Sequence, residues 1–174
     1  MPSEIRSAEV AEVDAFLADE KTLEGVPVWR ESPRPRELSA VWNIQDSLGI
    51  GRASLRFRYP RATRAWPSVS LIFRGNPVWR IDLVAADAWK PNPPGAAALG
   101  LPPEVRGSHS HTWTDNRAYI LSQDLWSLPY RRPLPVAIRR LPQAVASLAA
   151  ALNLLLGADQ RGFDVPPQTD LFEG

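Results

Sequence analysis

Arg52-Ala53-Ser54-Leu55-Arg56-Phe57-Arg58-Tyr59 alternates strictly between basic or small polar residues and apolar ones. Successive side chains of a strand point to opposite faces, so Ala53, Leu55, Phe57 and Tyr59 line one face and Arg52, Ser54, Arg56 and Arg58 the other. This half-buried strand sets the fold class. From Leu38 onward the pattern is that of strands; Ser68 to Arg74 and Val78 to Leu83 follow as a second and a third, joined at Gly75-Asn76-Pro77 as an antiparallel hairpin. Val69, Leu71 and Phe73, then Trp79, Ile81 and Leu83, are expected to face the core. Arg80 and Asp82 then share the outer face with Arg52, Arg56, Arg58 and Arg74.

Helical periodicity brackets the sheet. Ser7 is placed to cap a helix reaching about Leu23, with Val10, Val13 and Leu17 on its buried stripe and Gly25 as its stop. The proline-bearing segment Val26 to Glu37 reads as an extended connector anchored by Trp29. Near the other end, Pro142 opens and Gly157 closes an apolar helix containing Ala144, Val145, Leu148, Ala149 and Leu152. Residues 84–106 read as a long irregular passage, and Arg117 to Leu121 as a strand. The expectation is an α+β domain over residues 1–160, an antiparallel meander packed by an N-terminal and a C-terminal helix, with residues 161–174 as an exposed tail.

Composition narrows the function classes. A chain of 174 residues, 44% hydrophobic, suits one domain. The formal net charge of +1 excludes a bulk-basic nucleic-acid binder, so contact with phosphates would need a local patch. No cysteine means no disulfide, thiolate ligand or cysteine nucleophile, and a cytoplasmic location is the expectation. No apolar run is long enough to span a bilayer. Arginine and proline usage resembles GC-rich bacterial coding, with Lys21 and Lys90 the two lysines.

Chemistry concentrates in Gly107-Ser108-His109-Ser110-His111-Thr112-Trp113-Thr114-Asp115-Asn116-Arg117, which holds both histidines. In an extended segment His109 and His111 share a face. They can bind a divalent metal, with Asp82, Asp87, Asp115 or Asp124 completing the ligand set. They can also act as an acid and base pair at a phosphodiester, with Arg80 or Arg117 holding the anionic group. A third reading is a structural polar network that ties the long loop to the sheet. Arg52, Arg56 and Arg58, with their neighbours, either contact nucleic-acid phosphates or form an ordinary solvated face. Ser110 lacks the flanking glycines of a nucleophile elbow.

Gln168-Thr169-Asp170-Leu171-Phe172 resembles the peptide by which bacterial replication and repair proteins dock on the DNA polymerase sliding clamp. The resemblance implies that Leu171 and Phe172 enter an apolar pocket while the Gln168 amide holds register, with Asp170 as a further matched position. The alternative is that the pair folds back onto the protein's own sheet. Arg80-Ile81-Asp82, Asn92-Pro93, Gly107 to Trp113 and Leu141-Pro142-Gln143-Ala144 together resemble a group of bacterial proteins with an Arg-x-Asp, Asn-Pro, Gly-x-His-x-His-x-Trp pattern. Such proteins often carry a further histidine where this chain has Lys90. More distantly, histidines after an Arg- and Asp-bearing strand are similar to TumE-type toxins, which implies action on RNA. The order of helix, meander, Asn-Pro segment and final helix also looks like a ubiquitin-conjugating fold, in a version without the thioester cysteine.

Two functions follow as expectations. One is a nucleic-acid-associated, toxin-like or defence-related hydrolase using His109 and His111 with Asp82, Arg80 and Arg117. The other is a non-enzymatic interaction module, either a clamp-binding adaptor or an inactive conjugating-enzyme scaffold.

Overall fold

The computed structural model describes residues 3–61 and 66–167. In chain order the elements are α1 (Glu4–Ala18), β1 (Lys21–Leu23), β2 (Arg30–Glu31), β3 (Glu37–Gln45), β4 (Ala53–Pro60), β5 (Ser68–Phe73) and β6 (Asn76–Asp82). There follow β7 (Trp89–Pro91), a 3-10 turn (Ala96–Leu99), β8 (Glu104–Arg106), β9 (His109–His111), α2 (Trp113–Ser122), β10 (Arg132–Pro133), α3 (Leu141–Ala151) and β11 (Leu154–Leu155). The main sheet has the order β10-β9-β6-β5-β4-β3-β1-β11, with β2 beside β3, and only β1 and β11 pair in parallel. This is the α+β class that the alternating strands imply.

Each long strand buries alternate residues. Leu55 and Phe57 are fully enclosed, and Ala40, Trp42, Ile44, Val69, Leu71, Phe73 and Ile81 join them. Helix residues Val10, Val13 and Phe16 from α1, Trp113 and Ile120 from α2, and Leu141, Val145 and Leu148 from α3 fill the same cluster. All three helices therefore cover one face of the sheet; the other is exposed at Val41, Arg56 and Arg80 and carries the buried Asp82, His109 and His111 at its β6–β9 end. Trp79 lies half-buried against the cluster; an irregularity in the β5–β6 pairing at Leu71/Ile72 accompanies full burial of its neighbour Val78.

Several expected boundaries move. Helix α1 starts earlier, with Ser3 rather than Ser7 accepting from a backbone N–H, that of Arg6 at 3.1 Å. It ends at Ala18 because Lys21 folds under it, its Nζ donating to the carbonyls of Phe16 (2.8 Å), Leu17 (3.1 Å) and Asp19 (2.6 Å). Those carbonyls have no helical donor, and the residues expected to continue the helix become β1 instead. The segment expected as a strand at Arg117 to Leu121 is part of helix α2. Thr112 caps that helix, accepting from the Asp115 N–H at 3.1 Å and donating to the Asp115 carboxylate at 2.8 Å. Helix α3 stops before Gly157: Asn153 takes a positive φ of 52° and donates to Ala18 O, turning the chain into β11. The passage at 84–106 contains the β7–β8 pair.

The chain remains in the core after residue 160. Phe163 stacks on Trp29 with ring centroids 5.5 Å apart and meets Trp42 and Phe57 edge-on at 5.3 and 5.0 Å. Trp29 anchors its connector as expected and donates to Asp164 O at 2.9 Å. Gln168, Asp170, Leu171 and Phe172 lie outside the described residues.

Candidate metal centre

The open face of the sheet is laid out by register. Cross-strand pairing places Ser39, Arg58, Ser68, Asp82 and His109 in one row, and Val41, Arg56, Ser70, Arg80 and His111 in the next. Side chains paired across strands share a face, so β6 delivers Arg80 and Asp82 directly beside the two histidines of β9. Three of the four are buried: Asp82 is 9% exposed, His109 4% and His111 6%.

His109 Nε2 lies 3.4 Å and His111 Nε2 3.5 Å from the same oxygen, Asp82 Oδ2. The other oxygen, Oδ1, accepts from Arg80, whose Nε and Nη2 both sit 2.8 Å away. Burial works to raise Asp82, while the Arg80 guanidinium donating to Oδ1 opposes it, and the group lies below the usual carboxylate range. Asp82 is an anion here.

Backbone carbonyls fix the ring tautomers. His109 Nδ1 is 3.0 Å from Gly107 O, and His111 Nδ1 is 2.6 Å from Leu128 O. A carbonyl only accepts, so each Nδ1 carries the hydrogen, and in its neutral form each ring would turn the Nε2 lone pair toward Asp82. Three acceptor atoms thus converge within 4.8 Å of one another. At 3.4 and 3.5 Å the separations from Oδ2 are too long for charge-assisted hydrogen bonds, which run about 2.7–2.9 Å. They suit ligands sharing an ion, since two atoms each about 2.0–2.1 Å from a tetrahedral zinc lie roughly 3.3–3.4 Å apart.

Gly107 has a φ of 72°, a left-handed conformation that strains any residue with a Cβ. It brings the chain out of β8 and presents its own carbonyl to His109. Leu128 O is held by a loop fastened by two side-chain amides, the buried Asn116 and the half-buried Asn92. Asn116 Nδ2 donates to Thr112 O (2.8 Å) and Tyr130 O (3.0 Å), and its Oδ1 accepts from Tyr130 N (2.8 Å). Asn92 treats Arg131 in the same way, donating to Arg131 O at 2.9 Å and accepting from Arg131 N at 2.9 Å. The two side chains grip consecutive residues of one loop.

That grip holds Arg131 near enough for Asp82 and Arg80 to act on its charge. Its Nη1 donates to Pro91 O at 2.8 Å, while its Nε is buried without a partner among the described residues. Burial lowers Arg131 from the ordinary guanidinium value, with Asp82 drawing it up and Arg80 pressing it further down.

Of the residues singled out from sequence, the structure brings together His109, His111, Asp82 and Arg80. Arg117 is elsewhere: Nε and Nη2 bind the Asp14 carboxylate at 2.7–3.0 Å, joining α2 to α1. Asp115 is engaged by Arg132 and Thr112, and Asp87 and Asp124 are exposed outside the cluster. The basic face is largely neutralised, with Arg52 on Asp46 (2.6 Å) and Arg58 on Glu37 (2.7 Å). Arg74 leaves that face and pairs with Glu12 of α1 at 2.8 Å. Arg56 is exposed on the open face and has no carboxylate partner among the described residues.

Sequence reasoning missed Arg131 and the carbonyls of Gly107 and Leu128. Adjacent arginines before Pro133 were a weak signal for the first; backbone carbonyls leave none. No helix among the described residues is long and apolar enough to cross a membrane. The chain matches no protein-family model, no curated protein and no solved structure.

Proposed function

We propose that Asp82, His109 and His111 bind one divalent metal ion and that the protein is a metal-dependent hydrolase of phosphodiesters, the bonds of nucleic acids. The observation that carries this reading is the convergence of two lone-pair nitrogens, each fixed by a backbone carbonyl, on one oxygen of a buried carboxylate. Two histidines and one carboxylate leave further coordination positions for water or substrate. A bound ion supplies Lewis acidity and a water made acidic enough to attack near neutral pH. The protein's own part is to hold the ligands and to receive the anionic ester. Arg80 fixes the ligand carboxylate through Oδ1 and keeps its remaining N–H groups for a phosphoryl oxygen; Arg131 adds a second guanidinium. The oxygen of water bonds to phosphorus, the ester P–O bond breaks, and the proton given up by the water ends on the departing oxygen. Arg117, committed to Asp14, has no part in this.

The peptide Gln168-Thr169-Asp170-Leu171-Phe172 extends the reading to a partner. Docking on a sliding clamp would carry such a hydrolase to DNA, and truncation after Pro167 would abolish the complex in a calorimetric titration.

The test of the centre is metal analysis of the purified protein followed by titration of zinc or manganese into chelator-treated protein. One ion per chain is expected, lost in His111→Ala and Asp82→Asn while far-UV circular dichroism stays unchanged. Hydrolysis of bis(p-nitrophenyl) phosphate should disappear with the ion. A folded protein that takes up no divalent ion would overturn the reading and leave the three residues as a structural network.

A further inference from the structure

The row that contains Arg80 and His111 continues outward across the open face. Opposite Arg80 on β5 stands Ser70, and opposite Ser70 on β4 stands Arg56. Adjacent strands lie about 4.8 Å apart, so the backbones at Arg56 and Arg80 are separated by roughly 10 Å, with a hydroxyl between them. Four neighbouring arginines have carboxylate partners: Arg52 has Asp46, Arg58 has Glu37, Arg74 has Glu12 and Arg80 has Asp82. Arg56 has none among the described residues and points from the middle of a strand into solvent. A cation so placed is available to an external anion, and its alignment with the candidate centre gives that anion a direction.

We infer that a single strand of nucleic acid crosses the open sheet face along Arg56, Ser70 and Arg80 and brings one of its phosphodiesters to Asp82, His109 and His111. The inference rests on the hydrolytic reading for its chemistry and on strand register for its path. The ligand is a polymer because the cations are spread along a row: a lone phosphate at the centre would not reach Arg56. It is single-stranded because Asp82 and both histidines are recessed, at 9% exposure or less. An extended strand can dip a phosphate into such a site, whereas a rigid duplex rides over it. The row offers guanidinium and hydroxyl groups to the backbone and no aromatic ring to the bases, so recognition is independent of sequence.

Binding is read by fluorescence anisotropy of a labelled mixed-sequence DNA oligonucleotide, single-stranded and duplex, across a salt series. Metal content is measured on the same samples. The expected result is tighter binding of the single strand, with Arg56→Ala weakening it several-fold. That variant should lower the slope of log K against log salt by about 0.7, the value of one single-strand phosphate contact, while keeping fold and metal. Arg74→Ala, on the helix side, should leave the slope unchanged. An Arg56→Ala protein with the wild-type slope, equal losses in both variants, or a preference for duplex would each overturn the track. A protein that holds its metal but ignores the oligonucleotide refutes the track alone. Absence of metal refutes the hydrolytic reading, and the salt series then still decides the path.

Discussion

Asn116→Ala should damage both the fold and the metal centre, and the structure sets the scale of each effect. Asn116 is fully buried and makes three side-chain hydrogen bonds, two of them to the backbone of Tyr130. Each such bond contributes about 1 kcal/mol net, and a buried partner left unsatisfied adds about 1–3 kcal/mol. Tyr130 is only half-buried, so water recovers part of the loss. The expected destabilisation is about 3 kcal/mol, seen as a lower urea midpoint at unchanged m-value. The second effect is specific to the site. Asn116 fastens the loop that delivers Leu128 O to His111 Nδ1, and loosening it frees the imidazole to turn or change tautomer. Outer partners of metal ligands are worth about 10–100-fold in affinity, and zinc titration should show a loss in that range under conditions where the variant is still folded. A variant destabilised by under 1 kcal/mol, or one with undiminished zinc affinity, would refute the reasoning that this amide holds the centre.

Arg117→Ala should cost about 0.2–1 kcal/mol, the range for an ion pair as exposed as Arg117 with Asp14, and leave metal content and hydrolysis untouched; lost hydrolysis would restore it as a phosphate-binding residue. Lys21 should give the protein an alkaline signature. Burial drives its ammonium down to about 8, against the opposing pull of Asp19, while the unfolded chain keeps the ordinary 10.5. Between these values the unfolded state binds more protons, so stability rises with pH, by up to about 3 kcal/mol across the window. Lys21→Met removes that rise, and denaturant titrations at pH 8 and 10 on both proteins should show the slope in the wild type alone; parallel curves would refute it.

The parts of the fold that could be read were those where one face of an element is apolar and the other is not. Strand β4 is the clearest case, since Ala53, Leu55, Phe57 and Tyr59 are all buried and no alternate residue is. Strands of two or three residues, such as β1, β2, β10 and β11, are too short to carry a period. Helix α2 was hidden for a different reason. Its inward positions are Trp113, Asn116 and Ile120, and a polar residue in the middle of the stripe breaks the apolar repeat. That residue is the amide gripping Tyr130, so the interaction that organises the loop also erased the helix signal. The Thr112-to-Asp115 spacing did mark the cap, and the surrounding polar side chains drew the reading toward a site instead.

At the candidate centre, period two was enough to put His109 and His111 together and to put Asp82 on the same face as Arg80. What it could not supply was the pairing of β9 with β6, which turns three residues into one cluster. Arg117 follows the histidines in sequence, yet a helical turn carries it to Asp14; Arg131, on a loop held by Asn92, instead feels the charge of Asp82. The charge pattern that results is unbalanced in two places. Asp82 Oδ2 faces two imidazole nitrogens whose hydrogens are committed to carbonyls, and the Arg131 Nε has no acceptor among the described residues. Buried polar groups left in that state are costly. A cation at Oδ2 corrects the first imbalance and an oxyanion beside Arg131 corrects the second. Under the proposed reading, a metal-bound phosphodiester would supply both charges at once.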